Sequence, residues 1–231
     1  MIPKVHGIIR RRLLVNFRAD PAVIQRLLPA PFSPKLHAGH AIAGICLIRL
    51  EQIRPRGFPG IVGLSSENAA HRIAVTWDGG AREGVYIPRR DTGSLVNHLA
   101  GGRIFPGEHQ RACFDVNESG DRIALRMRSA DGAVRVELAG RVAPALPPTS
   151  VFATLDEASR FFEGGSLGYS TTASGHRLDG VTLRPEQWKV EPLALDRLAS
   201  SFFEALPATF DCALIMRNIA HEWEAAGEMY V

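Results

Sequence analysis

Arginine supplies almost all of the positive charge in this sequence, because only three of its 27 basic residues are lysines: Lys4, Lys35 and Lys189. The planar guanidinium group can hold a carboxylate or phosphate through two parallel hydrogen bonds. Arg89 and Arg103 are candidates for such a clamp on a ligand carboxylate, although each taken alone fits a solvated surface arginine better. The composition therefore directs attention to ligands that carry carboxylate or phosphate groups.

The distribution of charge argues against a nucleic-acid partner. Basic residues are spread along the whole chain and are interrupted by acidic ones, and the net charge is only +3. A nucleic-acid-binding protein usually concentrates its basic residues on one face. No apolar run is long enough to span a bilayer, and residues 1–12 lack the apolar segment of a signal peptide. We therefore expect a cytoplasmic protein with no nucleic-acid and no membrane partner.

Motifs for metal-dependent or nucleophilic chemistry are weak. His37 and His40 have a spacing that metal ligands can use, but no further ligand cluster lies beside them, and Gly39 favours a hairpin turn. No serine lies in a Gly-x-Ser-x-Gly context, and no glycine-rich phosphate loop is present. The three cysteines are far apart and are expected to be small buried apolar residues: Cys46, Cys113 and Cys212. The sequence predicts no metal ion and no cofactor.

The elements that must position these side chains are mainly strands, as alternating apolar and polar residues indicate. Strands are predicted at 12–18, at 35–50 as a hairpin turning at HAGH, and at 68–77, 83–90, 109–116, 121–129, 133–142, 167–175, 180–190 and 210–225. Asp131-Gly132 between two alternating runs is the strongest hairpin signal. Helices are predicted within 19–29, 92–102, 154–165 and 195–207, the first capped by Asp20 and the third by Thr154 with Glu157.

Strands in hairpin order with few helices predict an α+β fold in one domain over residues 1–231: a mainly antiparallel β cone or barrel with a few short peripheral helices. Closure leaves an interior lined by alternate residues of each strand, which is where a ligand is expected. Three aromatic side chains fall on strands where they can form a pocket wall, although core packing explains them as well: Tyr86, Tyr169 and Trp188.

The order and spacing of several segments resemble the acetoacetate-decarboxylase-like superfamily, and within it the YqjF-like branch of unknown function. The segments cover nearly the whole chain: LLVNFRADPAVIQRLLP, GHAIAGICLIRLEQIRPRGFPGI, SSENAAHRIAVTW, EGVYIPRRD, GGRIFPGEHQRACF, GYSTTASGHRLDG, EQWKVEPL and DCALIMRNIAHEW. The resemblance implies a cone-shaped β-barrel of the acetoacetate-decarboxylase type with a pocket inside, and a homo-oligomer.

The resemblance also implies what the pocket lacks. In acetoacetate decarboxylase a pocket lysine forms a Schiff base with a β-keto acid, and a neighbouring lysine keeps that amine reactive. Here His109 stands at the place of the nucleophile and Gln110 at that of its neighbour. Neither an imidazole nor an amide forms a stable imine with a ketone, so the Schiff-base mechanism is not carried over. Lys189, which follows Trp188, is the best substitute amine, but lysine usually lies at the surface.

The sequence leaves the direction of His109 and Gln110 open. In a regular strand Gln110 shares an apolar face with Ala112, Phe114 and Val116, and this points Gln110 inward and His109 outward. The resemblance instead places His109 inward, and the two residues inserted before it leave room for a bulge.

Glu67 matches a position where the family has a pocket acid. It can exchange protons if burial raises its pKa, and a loop-end carboxylate paired with an arginine is the alternative.

Three functional hypotheses follow. The first is a protein that binds a small anionic organic acid inside the β-cone and lacks the Schiff-base lysine. The second is a lysine-independent enzyme, such as a lyase or decarboxylase, that acts on a β-keto or similar carbonyl acid, with Glu67 and His109 exchanging protons and an arginine holding the carboxylate. The third is an interaction protein whose pocket has collapsed. The expected partners are a small-molecule ligand and further copies of the chain.

Overall fold

The computed structural model describes residues 5–55, 57–59, 63–100, 107–172 and 176–230. Within these ranges the strands are β1 (Val5–Ala19), β2 (Ser33–Pro34), β3 (Leu36–His37), β4 (His40–Pro55), β5 (Leu64–Trp77), β6 (Arg82–Thr92), β7 (His109–Ser119), β8 (Arg122–Ser129), β9 (Arg135–Val142), β10 (Leu167–Thr171), β11 (Arg177–Pro185), β12 (Glu191–Ser200) and β13 (Ala208–Tyr230). The helices are α1 (Pro21–Gln25), α2 (Leu95–Ala100), α3 (Leu155–Glu163) and α4 (Ser201–Glu204). None of these helices has the length and apolar character that a bilayer crossing requires.

Hydrogen-bonded strand pairs close the sheet into two rings that share one wall. The first ring runs through β1, β4, β5, β6, β10, β11 and β13 and returns to β1. The second ring runs from β6 through β7, β8, β9 and β12 to β13 and returns through β1, β4 and β5. Among the described strand pairs, only β6 with β10 and β6 with β7 are parallel. The predicted mainly antiparallel, closed sheet is therefore confirmed.

Alternating side chains of the shared wall face different rings, because successive residues of a strand point to opposite faces. In β1, Leu13 and Val15 pack in the cluster of the second ring, together with Leu125 of β8. Leu14 packs instead in a second cluster, with the buried face of α3 and residues of β4 and β13. The strands of the wall are thus apolar on both faces, and each face has its own core.

Local sequence signals account for the turns and helix ends that the structure contains. The side chain of Asp20 accepts hydrogen bonds from the first amides of α1, and Thr154 accepts one from the amide of Glu157 at the start of α3. The carboxylate of Glu157 in turn accepts from the amide of Ala153 at 2.7 Å, which completes a capping box. Ala38 and Gly39 form the two-residue hairpin turn between β3 and β4.

One predicted element is wrong. The helix expected over 195–207 is instead the end of β12 followed by the single turn of α4. β12 pairs with β9 from Leu193 to Ser200, with an irregularity between Leu195 and Arg197. Long-range pairing has overridden the local helix preference of this segment, and the irregularity hides the two-residue period that would have indicated a strand.

Candidate functional site

A cavity of about 120 Å³ lies inside the first ring, and all seven strands of that ring contribute to its wall. Much of the lining is aliphatic, from side chains such as Ile48, Val85 and Val181. The polar and thiol groups of the wall belong to Arg12, Cys46, Asn68, Arg72, Arg90, Asp91, Asn97, His109 and Ser166. The combination of an apolar surround and a few converging polar groups is typical of a small-molecule site.

Arg12 and Arg72 are buried on adjacent parts of this wall. Nε of Arg12 lies 3.3 Å from Sγ of Cys46, and its guanidinium lies 5.5 Å from the ring centroid of Trp188. Nη2 of Arg72 donates to Oδ1 of Asn16 at 2.5 Å, and its guanidinium lies 5.1 Å from the ring centroid of Phe162 on α3. Both cations are therefore held by neutral groups and aromatic faces.

Arg90 enters the cavity from β6. Its Nε donates to Oγ of Ser170 at 2.8 Å, while its Nη2 is buried and has no hydrogen-bond partner among the described residues. Burial lowers the pKa of Arg72 and of Arg90 to about 10. Both groups still carry a full positive charge at pH 7, because that pH lies well below both values.

The three cavity arginines have no carboxylate partner among the described residues, whereas the buried Arg11 and the half-buried Arg89 do. Arg11 pairs with both Glu67 and Glu118, and Arg89 pairs with both Asp91 and Asp131. The only carboxylate in the described cavity lining is that of Asp91, which accepts from Arg89 Nη2 at 2.7 Å. The cavity is therefore strongly electropositive.

His109 lies in the cavity lining at the start of β7, where β7 pairs in parallel with β6 opposite Arg90. Its Nδ1 lies 3.2 Å from the carbonyl oxygen of Gly107, so Nδ1 carries the proton of the neutral ring. Burial, and then the positive charge of Arg90, lower the pKa of His109 to about 3. The imidazole is thus neutral at pH 7, and in the ligand-free protein it is a weak base.

The DUF2071 family, described as an uncharacterized conserved protein, matches residues 9–215. The chain belongs to this family. No curated protein matches the sequence.

Solved structures of low identity share the fold of this DUF2071 chain. MppR, an enduracididine biosynthesis enzyme complexed with the condensation product of pyruvate and imidazole 4-carboxaldehyde, has TM-score 0.66 and 15% identity over 100% of this chain and 90% of its own. An acetoacetate decarboxylase-like enzyme from Sphingomonas wittichii RW1 has TM-score 0.60 and 14% identity, covering 100% and 94%. Acetoacetate decarboxylase from Legionella pneumophila has TM-score 0.61 and 11% identity, covering 97% and 87%. These likenesses confirm the acetoacetate-decarboxylase-like fold predicted from the sequence.

Glu67 is not among the described residues that line the cavity. On β5 the side chains of Asn68 and Arg72 belong to the cavity side, and Glu67 pairs with Arg11 at 2.5 Å. Burial raises the pKa of Glu67, and the charge of Arg11 opposes that shift. The arrangement corresponds to the carboxylate paired with an arginine, which was the alternative for this residue.

Gln110 and Arg89 lie outside this cavity. They line a separate small depression together with Arg90, Glu108 and Ser170. The structure therefore places His109, and not Gln110, in the wall of the cavity.

The aromatic candidates lie in the apolar packing. Tyr86 and Tyr169 belong to the core of the second ring, each with its ring centroid 5.9 Å from that of Phe32. Trp188 donates from Nε1 to Oγ of Ser159 at 3.0 Å and reaches the cavity only through its contact with Arg12.

Arg103 lies outside the described residues, as does Lys4. No lysine is present in the described part of the cavity lining. Nζ of Lys35 lies 2.7 Å from a carboxylate oxygen of Glu83, and Lys189 is exposed.

Sequence reasoning missed the three cavity arginines. The available signal was an arginine inside an otherwise apolar strand: Arg72 lies in NAAHRIAVTW and Arg12 directly precedes LLV. A charged side chain at such a position is costly unless it has a partner or a function.

Proposed function

We propose that this DUF2071 chain binds a small organic acid in the cavity of the first ring, without forming an imine. The observation that carries the proposal is the set of three cavity arginines that lack a carboxylate partner among the described residues: Arg12, Arg72 and Arg90. A buried cation without a counter-charge lowers the stability of the fold, and a bound carboxylate supplies that counter-charge. The neighbour MppR, which has been solved with pyruvate, shares the fold and binds a small carboxylate.

The size and lining of the cavity restrict the ligand. A volume of about 120 Å³ admits a short organic acid, and the aliphatic residues leave room for a carbon skeleton between the polar groups. Gly165 and Gly168 contribute to the wall without side chains, so backbone is exposed to the ligand there.

A thermal-shift panel tests binding. Short carboxylic acids should raise the unfolding midpoint, and their neutral amides should not, because a ligand that binds only the native state stabilises it. Arg72→Gln removes a cation, and Ala70→Leu fills the cavity without changing its charge; both should abolish the shift. Arg126→Gln is the matched control, since Arg126 is exposed on β8 and pairs with Glu137. Equal shifts with acids and amides, or retained shifts in Ala70→Leu, would refute the proposal.

Borohydride reduction tests the absence of an imine. Incubation with acetoacetate or pyruvate followed by borohydride should leave the mass of the protein unchanged, since no amine lines the described cavity. A covalent mass increase would show that a lysine does reach the ligand.

The position of His109 favours a second function, proton transfer to and from the bound acid. A carboxylate held by Arg90 offsets the positive charge that helps to lower the pKa of His109, and the imidazole can then remove a proton next to the carbonyl of that ligand. This version of the enzyme hypothesis uses His109 without Glu67. Hydrogen–deuterium exchange at the carbon next to the carbonyl, followed by NMR, should be faster with the protein and should be lost in His109→Asn while binding persists. Exchange at an unchanged rate in His109→Asn would end this hypothesis.

A collapsed pocket, the third hypothesis, is disfavoured by the cavity volume and by the cost of placing three cations around a space that nothing fills.

A further inference from the structure

We propose that the ligand of the first-ring cavity carries two negative groups, as a dicarboxylate or a phosphorylated carboxylate does. This inference rests on the proposed function and adds the charge of the ligand to it. The cavity wall carries more positive charge than one carboxylate can neutralise.

Counting the charges of the lining gives the first argument. Three guanidinium groups lie in the lining, and the pKa of the two that burial shifts stays near 10, so all three are cationic at pH 7. The one described lining carboxylate, Asp91, is engaged by Arg89, which lies two residues earlier on the same strand. His109 is neutral at this pH. A monocarboxylate would leave two positive charges uncompensated in a partly apolar space.

The second argument is how the chain treats the buried Arg11 and the half-buried Arg89. Arg11, which is 1% exposed, receives two carboxylates, and Arg89 also receives two. The cavity arginines differ because their counter-charge is left to a ligand.

The third argument is the arrangement of the cations on the wall. Arg12 lies close enough to Arg72 for its charge to lower the pKa of Arg72. Arg90 belongs to a different strand: it pairs across the sheet with Ala70, and Ala70 pairs with Cys46, which accepts from Arg12. Two strand spacings, about 10 Å between Cα atoms, therefore separate Arg90 from Cys46. The wall therefore presents its three guanidinium groups from three different strands, β1, β5 and β6, around one cavity.

Matched ligand pairs test the charge requirement. Oxalate, malonate, succinate and glutarate are each compared by calorimetry with their own monoamide, which keeps the shape and removes one charge. At least one dicarboxylate should bind about tenfold to a hundredfold more tightly than its monoamide, as expected for an added charge-assisted hydrogen bond. Phosphoglycolate in a parallel arm distinguishes a phosphate from a second carboxylate.

The variants are compared by the ratio of the affinity for a dicarboxylate to the affinity for its monoamide. A general structural disturbance would weaken both affinities and leave this ratio unchanged. Arg90→Gln should reduce the preference for the dicarboxylate over its monoamide to about threefold or less, and Arg126→Gln should retain it. Circular dichroism and the unfolding midpoint verify that both variants fold.

Three outcomes are informative. Monoamides or monocarboxylates that bind as tightly as every dianion would overturn this inference and leave the proposed function standing. An unchanged preference in Arg90→Gln would overturn it as well. Failure of every acid to bind would remove both this inference and the proposed function.

Discussion

The described side chains that contact the guanidinium of Arg12 are neutral or apolar. Cys46, Met216 and Trp188 contact its guanidinium, and no carboxylate does so among the described residues. A cation in such a place contributes to binding only when a ligand is present, and in the free protein it opposes folding. Arg12 is therefore expected to lower the stability of the ligand-free protein and to strengthen the binding of an anionic ligand.

Replacing Arg12 with methionine tests these two opposite effects. Arg12→Met keeps a long, flexible side chain in apolar surroundings and removes the uncompensated charge. We expect the free energy of unfolding of the ligand-free protein to rise by about 1–3 kcal/mol, measured by urea denaturation. Stabilisation by carboxylates should be lost in the same variant. A destabilised ligand-free variant would show that the cation is already compensated.

Cys46 reports the electric potential of the cavity through its reactivity. The same thiolate attacks iodoacetate and iodoacetamide and displaces iodide from each, so the ratio of the two rates at one residue depends on charge and access and not on the thiolate fraction. At Cys46 this ratio should be about tenfold higher in the folded protein than in urea, because three guanidinium groups concentrate the anionic reagent.

Two further cysteines serve as internal controls for that measurement, which mass spectrometry of tryptic peptides provides. Cys113 is exposed, so the burial expected for it from the sequence is wrong, and its ratio should change little on unfolding. Cys212 should remain unmodified in the folded protein, because burial raises its pKa to about 12. Equal ratios at Cys46 and Cys113 would contradict an electropositive cavity.

At the scale of elements, the hairpin between β3 and β4 carries a local strain that a substitution can relieve. Its two turn residues, Ala38 and Gly39, have φ angles of 47° and 79°. A positive φ costs an alanine about 1–2 kcal/mol, and asparagine tolerates this region better. Ala38→Asn should therefore raise the free energy of unfolding by about 0.5–1 kcal/mol in urea titrations. Ala38→Gly serves as a comparison, and no gain in either variant would exclude strain at this turn.

Elements with strong local signals could be predicted from the sequence, and those that depend on distant partners could not. Thr154 and Glu157 cap α3 as the sequence indicates, because a capping box involves residues three positions apart. Residues 195–200 contain good helix formers, and only the pairing with β9 makes them a strand. Similarly, the parity of β5 decides that Arg72 and not Glu67 lines the cavity, and parity depends on a register that the turns and bulges set.

At the scale of the whole molecule, the two rings share β13, β1, β4, β5 and β6. One face of the wall carries the core of the second ring, and the other face carries the second apolar cluster together with the cavity. The same strands therefore remove side chains of both rings from water. The closed sheet could be predicted from hairpin order and from the resemblance. The division into two rings could not, because it depends on long-range pairs such as β11 with β13.

The shared wall also buries histidines, and this predicts how stability depends on pH. His71 and His221 are 0% and 2% exposed. Burial, reinforced by Arg89 and Arg12 respectively, lowers the pKa of His71 to about 3 and that of His221 to about 4. Both imidazoles are thus neutral in the folded protein at any pH above those values, whereas in the unfolded chain they take up protons below about pH 6.5.

Unfolding therefore takes up protons between pH 6.5 and about 4, and stability must fall as the pH decreases through this window. Each of the two histidines should lower the free energy of unfolding by about 2 kcal/mol at pH 5 relative to pH 7.5. Urea denaturation at the two pH values measures this difference. His71→Leu places an apolar side chain beside Phe202. This variant should lose less stability between pH 7.5 and pH 5, by the share that one histidine contributes. His176→Gln is the control, since His176 is exposed. If His71→Leu lost as much stability at pH 5 as the unsubstituted protein, His71 would have to be protonated in the folded state, and the apolar environment that the second ring provides for it would be in error.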